Sequence, residues 1–135
     1  QYYLGETLSG LGKRDQAFEL YEKSFYSADW DEAKAWSAYK CAEFLAGKKD
    51  YRGCKEWCLR GLEVHAGFAE CAWLMGWAYY QEANYRQAVY WSRVARAIAE
   101  AEGDPGLRRI GFRHLPAYKD GPADVEAWAR KRLSE

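Results

Sequence analysis

Three small residues, Ala17, Cys54 and Ala88, lie 37 and then 34 positions apart, and the residues around them repeat in step. In that register Gly5, Ala42 and Gly76 share a column, with Leu4, Cys41 and Met75 just before it. Leu8, Leu45 and Tyr79 form another, as do Asp50 with Asn84 and Tyr51 with Tyr85. A period near 34 marks paired helices stacked on one another. Such pairs bury their apolar faces only against their neighbours and leave a long ridged surface without chemistry of its own. The chain therefore reads as a surface for binding or assembly before it reads as an enzyme.

The length, 135 residues, predicts one domain with room for a sizeable core. Hydrophobic residues make up 49% and charged residues 30%, which excludes a disordered chain. Net charge is zero, from 20 basic and 20 acidic side chains, so no global field steers nucleic acid or an anionic membrane. The basic clusters are Arg108, Arg109 and Arg113, and then Arg130, Lys131 and Arg132 at an expected helix C-terminus, where cations favour the helix dipole. No run approaches a membrane span and no signal peptide is visible. The opening Gln1-Tyr2-Tyr3-Leu4 already lies inside an amphipathic pattern, without Met or an N-cap. It reads as a piece of a longer chain, whose activity would lie elsewhere.

Periodicity and breakers predict helices over about 1–11, 16–27, 32–46, 51–64, 68–82, 85–102 and 122–135. Turns are expected at Gly12–Asp15, Gly47–Asp50 and around Asn84, with Asp29 or Asp31 capping the helix at 32–46. Gly103-Asp104-Pro105-Gly106 ends the repeats. Residues 104–121 read as an irregular connector. Pro122 opens a last helix whose apolar face is Val125, Trp128, Ala129 and Leu133, a cap for the open end of the stack. The expected fold is all-α, an α-α superhelix of three helix pairs (about 1–31, 32–66 and 67–103) with a C-terminal capping helix.

These columns resemble the tetratricopeptide repeat. The third unit is nearest, with Met75-Gly76, Tyr79, Asn84-Tyr85, Ala88 and Ala95. The first offers Leu4-Gly5, Leu8, Gly12, Ala17, Tyr21 and Ser24, and the second Cys41-Ala42, Leu45, Asp50-Tyr51, Cys54, Cys58 and Gly61. The likeness covers roughly three quarters of the chain. A narrower likeness concerns Arg14–Tyr26 followed by Asp29-Trp30-Asp31-Glu32-Ala33, together with Gly111-Phe112-Arg113 and Tyr118–Val125. Those stretches resemble the repeat region behind the catalytic domain of some bacterial family 2 glycosyltransferases. None of that enzyme's nucleotide-sugar or metal-binding residues would lie in this chain.

The tetratricopeptide resemblance implies that the first helix of each pair lines a concave groove. That face carries Tyr2 and Glu6, then Trp36, Tyr39 and Glu43, then Trp73, Trp77 and Tyr80. Rings in a groove suit capture of a peptide, a glycan or a helix. The alternative is that the tail or final helix fills the groove and makes these rings core. The carboxylate clamp of the family needs Lys and Asn on this face, where Tyr2, Glu6, Tyr39, Glu43, Trp73 and Trp77 stand. Glu repels a carboxylate, which argues against chaperone-tail binding.

Cys54 and Cys58 share a helix face, with Cys41 and Cys71 on neighbouring helices. A zinc site is conceivable, but Cys41, Cys54 and Cys58 occupy columns that take small buried residues, so buried thiols are expected. Four thiols without a pairing pattern fit a reducing, cytoplasmic setting. His65, at an expected helix end, and His114, in the connector, form no catalytic spacing with Ser, Cys or Asp. The Glu19, Glu22 and Lys23 face reads as solvated. The sequence thus calls for no catalytic residue, metal or cofactor. It points to protein or peptide partners, a second copy included, or to a glycan or peptide acceptor, and away from nucleic acid.

Overall fold

A computed structural model of the chain describes residues 14–103 and 122–135. It contains α1 (Arg14–Ser27), α2 (Asp31–Gly47), α3 (Tyr51–Val64), α4 (Ala69–Gln81), α5 (Tyr85–Ala101) and α6 (Pro122–Leu133). No strand occurs among the described residues, and within the chain's compact units sequence-neighbouring helices pack on one another, α1 on α2 and α2 on α3, then α4 on α5 and α5 on α6. The fold class is all-α. The expected helix at 1–11, Gly12 and Lys13 of the expected turn, the connector at 104–121, His114, Tyr2 and Glu6 lie outside the described residues, while Arg14 and Asp15, expected in that turn, already belong to α1. Length predicts one domain, but the helices divide into two compact units, Gln1–Phe68 and Ala69–Glu135. Helices that pack on sequence neighbours give each unit its own interior.

The two complete hairpins close with the same turn. After α2 the Lys49 N–H donates to the Ala46 carbonyl at 3.0 Å and the Asp50 N–H to the Leu45 carbonyl at 2.9 Å. After α4 the Ala83 N–H donates to Tyr80 at 3.0 Å and the Asn84 N–H to Tyr79 at 2.9 Å. Each set is a Schellman closure, with the residue past the cap in the left-handed region. Those residues are Lys49, φ 63°, and Ala83, φ 62°. Each next helix is then capped by the residue that follows. Asp50 Oδ1 accepts from the Gly53 N–H at 3.0 Å, and Asn84 Oδ1 from the Gln87 N–H at 3.5 Å. Asp50 and Asn84 are the pair that the repeat register aligns.

The entry to α2 differs from expectation. Trp30 takes the N-cap position in extended backbone, without a side-chain cap hydrogen bond. Asp29 and Asp31 flank that position, and Asp31 with Glu32 sits in the first turn, where negative charge favours the helix dipole.

Within the first unit, α1 buries Ala17, Tyr21, Ser24 and Phe25. Its Ser24 hydroxyl accepts from the buried Ser37 hydroxyl of α2 at 3.0 Å. Trp57 of α3 joins the helices through edge contacts to Phe18 and Phe25, at centroid distances of 6.2 and 5.4 Å. In the second unit α5 buries a stripe of small residues, Ala88, Ser92, Ala95 and Ala99. Gly76 of α4 meets that stripe so closely that a Cβ there would lie 2.9 Å from Ser92 Oγ and 3.2 Å from the Ala88 carbonyl. The C-terminal helix α6 packs mainly on α5 and also reaches α4. Val125, Glu126 and Ala129 are its buried residues, Trp128 is half-buried, and Leu133 is exposed rather than part of the apolar face.

Candidate interaction surfaces

The face expected to line a groove divides between the two units. In the first unit Trp36, Tyr39 and Glu43 recur at three- and four-residue steps of α2, which puts them on one face. Tyr39 is fully buried, and its hydroxyl donates to the Glu43 carboxylate at 2.9 Å. Lys40 adds an ion pair to Glu43 at 3.5 Å. Trp36 is half-buried, with its ring edge-on to Phe68 at 4.7 Å and to Tyr39 at 5.7 Å. This is a ring-lined patch with a carboxylate held at its end by a phenol and an ammonium.

In the second unit Trp73 and Trp77 are buried in α4, while Tyr80 is half-buried at its C-terminal end. The neighbours of Tyr80 are Tyr85 at 5.5 Å and Trp128 of α6 at 5.8 Å. The Tyr80 phenol is the main cause holding the pKa of the exposed Arg132 guanidinium above its ordinary value, with Tyr85 next. Arg132 in turn lies over the Tyr85 ring at 5.9 Å. At Tyr80, therefore, the C-terminal helix supplies the cover. Tyr39, Trp73 and Trp77 belong to the interior, and Trp36, Glu43 and Tyr80 keep partial access to solvent.

Other aromatic residues are more accessible than the groove set. Trp30 is 73% exposed and Tyr26 63% exposed. Tyr26 adjoins Phe25 at 5.2 Å and Trp57 at 6.5 Å, and Arg60 lies over the Trp57 ring at 4.4 Å. Tyr90, 57% exposed, stands edge-on to Trp91 at 5.3 Å. These rings lie off the groove face that the register assigns, so the sequence reading passed over them. Their positions explain the exposure, since Tyr26 falls one step past Phe25 of its buried stripe and Tyr90 midway between Ala88 and Ser92 of its own.

A second feature that sequence reasoning missed is Glu126. It lies near the start of α6, where an acid favours the helix dipole, yet it is only 7% exposed. Its Oε1 pairs with Arg96 Nη1 of α5 at 3.0 Å, an ion pair whose approach angle falls short of a hydrogen bond. Its Oε2 accepts from Arg130 Nε at 2.9 Å.

The four cysteines are all free thiols and all buried. Burial pushes the Cys41 thiol pKa up, the nearby Glu22 charge adds to the rise, and Arg60 offsets part of it. Among the described residues no three His, Cys, Asp or Glu side chains gather as a metal site. His65 caps the C-terminus of α3 and its ring meets Phe68 at 5.6 Å. Among the described residues no helix is long and apolar enough to cross a membrane. No family model matches this chain, and no curated protein matches it.

Proposed function

We propose that the chain is a non-catalytic module for protein interaction and self-association, of tetratricopeptide type, carried in the C-terminal part of a larger glycosyltransferase. The observation that carries the module reading is the repeated hairpin turn. Two hairpins with the same Schellman closure and the same capping column, one period apart, support the reading of a repeated helix pair. The accessible Trp30, Tyr26 and Tyr90 supply the ring-rich surface that protein partners favour. The glycosyltransferase setting rests on the resemblance of Arg14–Tyr26, Asp29–Ala33, Gly111–Arg113 and Tyr118–Val125 alone.

Sedimentation of the purified chain across a wide concentration range tests the self-association. The expected result is a mass that rises with concentration, and a single chain mass throughout would overturn it. The coding sequence upstream tests the setting. A nucleotide-sugar-binding domain with an acidic metal motif is expected there, and its absence would remove the enzyme from the proposal.

A further inference from the structure

We infer that the α4–α5 face is a helix-docking site that takes α6 from a second copy of this chain as well as its own, so that two chains exchange C-terminal helices. The inference rests on the self-association proposed above and names the way it is achieved.

The docked helix shows what the site recognises. Val125 and Ala129 are fully buried one turn apart. The Glu126 carboxylate beside them meets Arg96 of α5 at 3.0 Å. Trp128 packs on Tyr80 of α4 at 5.8 Å, and Arg132 lies over the Tyr85 ring of α5 at 5.9 Å. The site thus selects an apolar pair, a carboxylate, a ring and a cation at fixed steps along one helix. That combination is far narrower than a generic amphipathic helix, and this chain carries it. Each of these contacts joins α6 to α4 or α5, so each would be remade unchanged by the α6 of a second copy.

Two physical facts favour exchange. At 12 residues α6 is too short to hold a helix alone in water, so once released it regains structure only on an equivalent face. Residues 104–121 connect it to α5, a stretch that reaches on the order of 60 Å when extended, so a neighbouring dock lies within its span. Exchange of an identical element creates no new interface, and the balance between one chain and two is set by the tether and by concentration.

The test is charge-reversal complementation between two full-length variants. Arg96→Glu breaks the pair from the dock side, and Glu126→Lys breaks it from the helix side. Mixed, the variants offer two matched crossings, Glu126 on Arg96 and the new lysine on the new glutamate. The expected result is a one-to-one heterodimer with the mass of two chains, formed only in the mixture. If either variant loses helicity alone, the mixture should recover it. The double variant R96E/E126K, matched within one chain, should melt close to the parent chain. A mixture without heterodimer or recovered helicity, beside a well-folded double variant, would overturn the exchange. So would a double variant that fails to recover, because the pair would then not define the dock. Concentration-dependent association of the parent chain without complementation would leave the module reading standing and remove only this one.

Discussion

Gly76 on α4 faces Ser92 on α5 across a gap with no room for a methyl group. A Cβ added at Gly76 would come within 2.9 Å of Ser92 Oγ and 3.1 Å of the Ser92 backbone nitrogen. Because a backbone atom cannot rotate aside, the two helices would have to part. Gly76→Leu is expected to destabilise the fold by ~1–3 kcal/mol through overpacking. Gly47, with nothing within 4 Å of its added Cβ, is the control. Gly47→Ala should be neutral or stabilise by up to ~1 kcal/mol, from helix propensity. Thermal unfolding of the two variants separates a general glycine effect from this close approach.

Lys49 and Ala83 hold left-handed backbone without being glycine. An L-residue there carries steric strain of roughly 1–2 kcal/mol, which glycine avoids at some entropy cost in the unfolded chain. Ala83→Gly is therefore expected to raise stability by ~0.5–1 kcal/mol, and Ala83→Val to lower it, because a β-branched side chain fits that region worst. Denaturant midpoints at constant slope check both signs. A loss on Ala83→Gly would contradict the turn geometry.

The caps predict an order. The Asp50 oxygen lies 3.0 Å from its N–H partner and the Asn84 oxygen 3.5 Å from its own. Asp50→Ala should cost about 1 kcal/mol, and Asn84→Ala less. Equal losses in chemical unfolding would mean that the caps act alike despite their distances.

Buried thiols predict slow chemistry. Cys41, Cys54, Cys58 and Cys71 should label with a thiol reagent only at the rate at which the fold opens, and labelling should accelerate in denaturant. The raised Cys41 pKa fixes a sign as well. Below the ordinary thiol pKa near 8.5 both folded and unfolded chains hold the proton. Above it the unfolded chain ionises first, so stability falls as pH rises. Cys41→Ser should alter that alkaline slope, and an unchanged slope would argue against the burial of this thiol.

Burial also divides the tryptophans. Trp77→Ala, at an interior position, is expected to cost ~3–5 kcal/mol. Trp30→Ala, at a 73% exposed one, should change stability within ~0.5 kcal/mol. Melting temperature and oligomer mass measured on both variants show which ring serves the fold and which serves association.

Much of this architecture was legible in the sequence because it is local. The helix expected at 51–64 is α3, Tyr51–Val64, since Asp50 marks its start and the small columns Cys54, Cys58 and Gly61 mark its inner face. What sequence could not supply is what docks from a distance. Arg96 and Glu126 stand 30 positions apart in the sequence, and only the return of α6 onto α5 makes them a pair. The groove residues met the same limit. Periodicity places Tyr39, Trp73 and Trp77 on a face, but whether a face is open depends on its cover. The cap of α2 escaped for a finer reason, because an N-cap acceptor must sit at one position and Trp30 occupies it between two aspartates.

The turns after α2 and α4 are closed by hydrogen bonds between residues five or fewer positions apart. Their formation requires no distant part of the chain, and contacts this short in sequence carry little loop-closure entropy. During synthesis the hairpin 31–64 can therefore close as soon as Asp50 and the start of α3 have emerged, while α5 is still being translated. Order in the growing chain would then advance from the N-terminal side, one rung at a time. The Arg96–Glu126 pair would be the last link set, since it waits for α6.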